Sequence, residues 1–272
     1  MGPPWRWLPL RGAPGAQQMA LDEALLDEVA AGRSPPTVRC FRWQSPCITL
    51  GRFQGAGELD LDRCRAAGLA VVRRPTGGAA VLHGADLGYA VVLPAASLRP
   101  LGGPAGLYRA VGEALAAALR AMGLPAETRS GPGGRPEGAC FAALGSCEVV
   151  VGNLKVVGSA QLRRPGATLQ HGSIYAGEGP EAIAAYLRAR PAWSEVEGAR
   201  VRAGEGAGPL LPPVPSLLPR PPALDLSGLV RRSLSGTLGV VLVEGRLSPA
   251  ERSSAAELLR TKYQRAEWNV GT

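Results

Sequence analysis

Three features of this sequence have residue types and spacing suited to chemistry: a lysine on a strand, a cysteine after a glycine- and proline-rich stretch, and two histidines near glycine-rich turns. Glu148 to Val151 and Leu154 to Val157 flank Gly152-Asn153, and a two-residue glycine-containing loop between β-rich runs signals a hairpin. A two-residue turn sets Val151 opposite Leu154 and Val150 opposite Lys155, placing an ammonium beside apolar neighbours. A strand lysine ordinarily keeps a sheet edge soluble. Yet of 30 basic residues only Lys155 and Lys262 are lysine, so a chain that otherwise uses arginine keeps an ammonium here. An ammonium is compact and shifts its pKa readily when desolvated, and a guanidinium does not replace it at a tight site. On these grounds alone a catalytic and a scaffold role for Lys155 stand side by side.

Cys140 follows the stretch Ser130 to Gly138, SGPGGRPEG, which reads as a loop. A cysteine there is accessible and suited to nucleophilic attack, although a free cysteine is more often a small buried hydrophobe. In Leu69 to Gly84, two apolar runs enclose Pro75-Thr76-Gly77-Gly78, with Arg73 and Arg74 at the turn. Gly77 and Gly78 permit close backbone approach and let successive N–H groups point at an anion or carbonyl. The same pattern also fits an ordinary glycine hairpin, and His83 fits a hydrogen-bonded structural histidine as well as a base.

The elements that must position these groups belong to one substantial globular chain. Its 272 residues are 46% hydrophobic, enough for a large core. The first residues lack the continuous apolar segment of a signal peptide, and no apolar run reaches the roughly 18 residues of a membrane span, so a cytoplasmic protein without membrane contact is expected. Five cysteines with no C-x-x-C pair, beside two histidines, argue against a disulfide framework and a metal site. The net charge of +8 suits an acidic partner, but the arginines are dispersed with few interleaved aromatics, so a nucleic-acid partner is not expected.

Periodicity predicts a helix over Gln17 to Ala31, with Leu21, Ala24, Leu25 and Val29 on one face and acids near its start. Strands are expected at Val38–Trp43, Cys47–Leu50, Asp86–Leu93 and Val240–Glu244. Further helices are expected at Leu61–Ala67, Leu107–Met122, Pro180–Arg188, Leu226–Leu234 and Ser248–Tyr263, the last opened by a Ser248/Glu251 capping box. A Pro/Gly/Leu stretch at about 198–222 reads as an extended connection.

Taken together, Arg73 to Gly84 (RRPTGGAAVLHG), Ala139-Cys140-Phe141 and Gly152 to Ile174 (GNLKVVGSAQLRRPGATLQHGSI) resemble the lipoate and octanoate transferase branch of the biotin/lipoate protein ligase superfamily. Met19 to Leu26, Arg39 to Gln54 and Ser248 to Asn269 resemble it too, so the likeness covers nearly the whole chain. It implies an α+β fold, with mixed sheets flanked by helices, a catalytic domain over 1–240 and a small helical extension over 241–272 packed on it. It implies two acyl transfers: Cys140 takes an octanoyl group from octanoyl-acyl carrier protein, and a lysine of a lipoyl domain or glycine-cleavage H protein then receives it. No ATP, metal or other cofactor is implied, and a monomer is expected. By the same resemblance Lys155 is catalytic beside Cys140, lowering the thiol pKa and bonding the acyl carbonyl. Gly77, Gly78, His83, Gly158, Gln161, Gln170 and His171 line or support the substrate site, with His171 a candidate proton carrier. Arg73 and Arg74 are assigned to the phosphate of the carrier's prosthetic arm.

The sequence departs from the family pattern at Ala79, where a third glycine or an arginine is usual, and at Gly84, where an aspartate follows the histidine. The second departure removes a carboxylate that would orient His83, leaving its tautomer unfixed. Cys147 is the alternative nucleophile. Two other functions share these motifs: an ATP-dependent lipoate ligase, and a module that binds acyl carrier or lipoyl domains without catalysis.

Overall fold

The computed structural model describes residues 4–129, 147–152, 154–175, 180–188 and 225–271. In chain order the first elements are β1 (Trp5–Ala13), α1 (Gly15–Ala30), β2 (Thr37–Trp43), β3 (Cys47–Leu50), α2 (Leu61–Ala66), β4 (Ala70–Arg73), β5 (Val81–His83) and β6 (Leu87–Pro94). There follow α3 (Gly103–Arg120), β7 (Ala126–Arg129), β8 (Glu148–Val151), β9 (Leu154–Arg164), β10 (Ala167–Ile174), α4 (Leu226–Leu238), β11 (Leu242–Glu244), α5 (Pro249–Leu258) and α6 (Ala266–Asn269). Eight strands form one mixed sheet in the order β11-β1-β2-β6-β10-β9-β8-β7, and β4-β3-β5 form a second.

Strand β6 shows why the large sheet is covered on both sides. Tyr89, Val91 and Leu93 pack in one core with α3 and α4, while Ala90 and Val92 pack in another with Leu25, Leu26 and Val29 of α1. Period-two alternation sends successive side chains to opposite faces, so a strand apolar at every position needs helices on each. Leu25 and Leu26 are fully buried, each contributing roughly 1.5–3 kcal/mol.

Helix α1 ends as its sequence predicts, at Gly32 with φ +70°, and α5 carries the expected capping box of Ser248 and Glu251. The β8–β9 hairpin has the register the spacing predicts, Val150 opposite Lys155 and Val151 opposite Leu154. Residues 180–186 form a 3₁₀ helix rather than an α-helix, and the last predicted helix changes at Leu259–Tyr263 into a π-helical turn.

Two features differ from the expectations. Residues 69–84 are not a hairpin: β4 pairs parallel and β5 antiparallel with β3, which lies between them. All four residues of β3 are buried, and the strand satisfies its backbone from both edges. Strand β1 was not anticipated, because Pro9 argues against a paired strand. The β1–β2 register shifts between Leu8 and Arg11, which puts Pro9 at the irregularity where a missing N–H is tolerated. The C-terminal segment packs on the rest of the chain. β11 pairs in parallel with β1, and α5 packs on α1. No helix among the described residues is long and apolar enough to cross a membrane.

Candidate active site

The two sheets and α1 line a partly open, largely apolar cavity of about 40 Å³, well below the roughly 300–1,000 Å³ of sites that take a whole small ligand. Met19 comes from α1, Phe41 and Trp43 from β2, Thr49 from β3, Val81 and His83 from β5, and residues 158–160 and 171–173 from the central strands. Small residues make the central strands concave here. Gly158 pairs with Ser173, Ser159 with Gly172 and Ala160 with His171. A Cβ on Gly172 would lie 2.0 Å from the Gly158 carbonyl oxygen and 2.8 Å from the Tyr89 ring, so only glycine fits that crossing.

Both histidines line this cavity, and each is held between a threonine and an aspartate. His83 Nδ1 lies 2.7 Å from Asp86 Oδ2, and its Nε2 lies 2.8 Å from Thr49 Oγ1. His171 Nδ1 lies 2.8 Å from Asp22 Oδ2, and its Nε2 lies 2.7 Å from Thr76 Oγ1. An ionised carboxylate only accepts, so Nδ1–H donates in both cases, and in the neutral ring Nε2 accepts the threonine hydroxyl proton. The His83 tautomer is therefore fixed: Asp86, three residues on, supplies the carboxylate that Gly84 lacks. Trp43 Nε1–H and the Ser173 hydroxyl also donate to Asp86 Oδ2, and the Trp43 ring stacks on His83 at 3.9 Å. Burial opposes the charge of Asp86, but His83, Ser173 and the Gly84 N–H together hold its carboxyl below the ordinary value.

Asp22 is in turn gripped by Arg39, whose Nε donates at 2.8 Å while its Nη1 donates to Gln18 Oε1 at 2.8 Å. Thus these acids of α1 are not helix-terminus charges, since the helix starts at Gly15 and its first turn holds no acid. Asp22 and Glu23 are both buried, and Glu23 accepts from Lys262 at 2.7 Å and from the Tyr263 hydroxyl. Through these two bonds His171 ties the Pro75–Gly78 turn to β10 and α1.

The arginines at the end of β4 are also reassigned. Arg73 and Arg74 are buried, and their guanidinium groups donate to backbone carbonyls. Arg73 Nη1 reaches Gly51 O at 2.8 Å and Gln54 O at 2.6 Å, while Arg74 Nη2 reaches Gly77 O and Ala79 O, both at 2.8 Å. They brace the loops around the cavity, whose wall includes Arg74, and their bonds to backbone carbonyls leave the phosphate role expected of them without support. Gly78 has φ +96°, and a Cβ on Gly51 would lie 1.7 Å from the Gly78 carbonyl oxygen, so these two loops touch backbone to backbone. Ala79 needs no glycine geometry, since no non-glycine residue among those described has positive φ.

Gln161 and Gln170 pair with each other at 2.8 Å, and Gln161 also donates to the Pro104 carbonyl of α3 at 2.9 Å. Period two sends them to the sheet face opposite His171 and Asp22, so they support the sheet from behind the cavity and do not line it. Lys155 is buried with its ammonium 3.0 Å from Glu148 Oε1. The sequence reading missed Glu148, Asp22, Asp86, Thr49 and Thr76. Only Asp86 had a short-range signal, its three-residue spacing from His83.

Cys140 lies outside the described residues. The other four cysteines, Cys40, Cys47, Cys64 and Cys147, are buried. Burial pushes the Cys40 thiol up to about 12 and raises Cys47 and Cys64 as well. For Cys147, burial and then the carboxylates of Glu113 and Glu148 raise the thiol. Among the described residues no group of three or more His, Cys, Asp or Glu side chains is arranged to hold a metal ion.

Residues 14–202 match the lipoyl protein ligase A/B catalytic domain. The octanoyltransferase LipM of Symbiobacterium thermophilum is 35% identical over 277 residues, covering 98% of each chain. A crystal structure of lipoate-protein ligase A bound with ATP superposes with a TM-score of 0.76 at 25% identity, covering 99% of both chains. The bipartite lipoate protein ligase of Thermoplasma acidophilum, studied with its E2 lipoyl domain, gives 0.73 at 26% identity, covering 99% of this chain and 97% of that one. By sequence and fold together, the chain belongs to the lipoyl protein ligase A/B catalytic domain family.

Proposed function

We propose that this chain is an acyltransferase of protein lipoylation, moving an octanoyl group from octanoyl-acyl carrier protein to a lysine of a lipoyl domain or glycine-cleavage H protein through a thioester on Cys140. Near-full-length similarity to an octanoyltransferase supports the acyl group and the reaction class. The observation that carries the covalent route is the state of the four described cysteines. All are buried with their thiols raised, which disfavours the thiolate that thioester exchange requires. Cys140 is the remaining cysteine, and Cys147 is disfavoured as its substitute.

In this reading the Cys140 thiolate attacks the thioester carbonyl and the carrier's thiolate leaves, taking up a proton. The acceptor amine then attacks the new thioester, loses a proton, and releases the Cys140 thiolate. Donor and acyl-enzyme are both thioesters, so the first exchange is close to balanced and needs no external energy source. The Lys155 ammonium favours the thiolate and the developing oxyanion. The apolar wall of the cavity packs against the hydrocarbon chain and keeps water from the thioester.

The test is intact mass spectrometry after mixing with octanoyl-acyl carrier protein in the absence of ATP. A gain of one octanoyl group that is lost in Cys140→Ala is the expected result. No adduct on either protein would remove the covalent mechanism. The likeness to an ATP-bound ligase favours one second reading, an ATP-dependent lipoate ligase. That reading requires Cys140→Ser to modify an apo lipoyl domain normally when given lipoate and ATP.

A further inference from the structure

Phe53 is 74% exposed, more than Val241 at 55% or Val243 at 50%. A single exposed hydrophobic residue is ordinary in itself. This one is held out by a braced loop. Arg73 Nη1 donates to the carbonyls of Gly51, Arg52 and Gln54 at 2.8, 3.3 and 2.6 Å, and the Arg52 N–H donates to Thr76 O at 2.8 Å. A buried guanidinium thus fixes the carbonyls on both sides of Phe53. Arg52 lies beside that ring, its guanidinium carbon 5.6 Å from the Phe53 centroid and 5.5 Å from that of Trp268. Among the described residues this guanidinium has no hydrogen bond or ion pair. Lys262 Nζ caps the other ring of the series, 3.9 Å from the Trp268 centroid. The result is a ridge of alternating ring and cation.

The ridge adjoins the cavity. Thr49, four residues before Phe53, lines it, and Thr76, bonded to the Arg52 N–H, holds the cavity residue His171 at 2.7 Å. Building on the lipoylation reading above, we propose that Phe53 and Arg52 anchor an acidic acceptor domain while it delivers its lysine to the cavity. Reach decides between the two substrates. The acceptor amine sits on a four-carbon stem, so its backbone must come within one side chain of the reacting carbonyl. The donor thioester hangs on a long flexible arm, which leaves the donor's body to sit further off. A rigid aromatic beside an unneutralised cation, on a chain of net charge +8, matches an acidic surface with one apolar contact. Because the loop is already ordered, little conformational entropy is lost on docking.

The experiment is calorimetric titration of the full chain with an apo lipoyl domain, alongside acyl-enzyme formation from octanoyl-acyl carrier protein. Phe53→Ser and Arg52→Glu are each expected to weaken acceptor binding about tenfold, with acyl-enzyme formation unchanged and Phe53→Trp close to the parent. Unchanged acceptor affinity in both variants overturns the proposal, as does a defect confined to acyl-enzyme formation. Acceptor binding that depends on Phe53, in a protein that transfers no octanoyl group, leaves docking standing and sinks the transferase reading. Octanoyl transfer with acceptor affinity indifferent to both variants does the reverse.

Discussion

His171 and Asp22 lie 149 positions apart in sequence, and their Nδ1 and Oδ2 atoms meet at 2.8 Å inside the cavity wall. Arg39 binds the same carboxylate from the other side and is itself only 4% exposed. Removing the charge of Asp22 therefore leaves a buried guanidinium without its counter-ion. Asp22→Asn is expected to destabilise the fold by about 3 kcal/mol, the usual scale for breaking a buried pair. Adding Arg39→Met removes the orphaned charge and should recover a good part of that loss in urea denaturation. A double variant no more stable than the single one would show that shape, rather than charge, sets the effect.

The two loops that meet at Gly51 and Gly78 have positions that need glycine and one that does not. Gly51→Ala drives a methyl into the Gly78 carbonyl, and Gly78→Ala must hold φ +96° with Arg74 only 2.7 Å from the new carbon. Each is expected to destabilise by about 1–3 kcal/mol. A Cβ on Gly77 meets nothing within 4 Å, so Gly77→Ala should unfold at the parent's denaturant midpoint. Equal losses at all three positions would mean that the loop is not packed as described.

The contrast shows which parts of the site were legible in the sequence. Hairpin register, helix ends and the capping box are local, decided by a few adjacent residues, and Lys155 was placed on its strand on that basis. The Asp22–His171 pair depends on packing α1 against β10, for which no short-range pattern exists. Asp86 is closer in sequence, but it stands two residues beyond the position directly after His83 where the family pattern has its aspartate. Arg73 and Arg74 were misjudged for a different reason. Sequence records that a guanidinium is present, whereas burial decides whether it meets a ligand or its own backbone.

Thiol chemistry separates the cysteines without any substrate. Burial raises the thiols of Cys40, Cys47, Cys64 and Cys147, so these should alkylate slowly in the native protein at pH 8. The proposed function requires Cys140 to be the fast one. Iodoacetamide followed by mass spectrometry should add a single rapid label to the parent and none to Cys140→Ser. Rapid labelling that persists in that variant would transfer the nucleophile's role to another cysteine.

The carboxyl of Asp86 gives the acid limb of stability a defined sign. Its folded pKa is lowered below the ordinary 3.8, against the opposing effect of burial, by His83, Ser173 and the Gly84 N–H. A lowered folded pKa contributes stability that is present above the unfolded value and lost as pH falls through the folded one. The stability gap between the parent and Asp86→Asn should therefore be widest above about pH 5 and close progressively below about pH 4. Urea midpoints across that range measure it, and a gap that widens on acidification would reverse the assignment.

Lys155 faces Glu148 at 3.0 Å within the sheet, an arrangement that serves either a scaffold or a catalytic ammonium. The two roles separate on the Lys155→Arg variant. A guanidinium keeps the positive charge near Glu148 and so conserves most of the ion pair's stability. It cannot, however, present a compact charge at the position where the oxyanion develops. If Lys155 acts on the reacting atoms, acyl-enzyme formation should fall by about 10²-fold or more, while the urea midpoint changes little. If Lys155 only braces β8 against β9, the rate should follow the folded fraction and nothing else, and single-turnover acylation under conditions where both proteins are fully folded would then show parent-like kinetics.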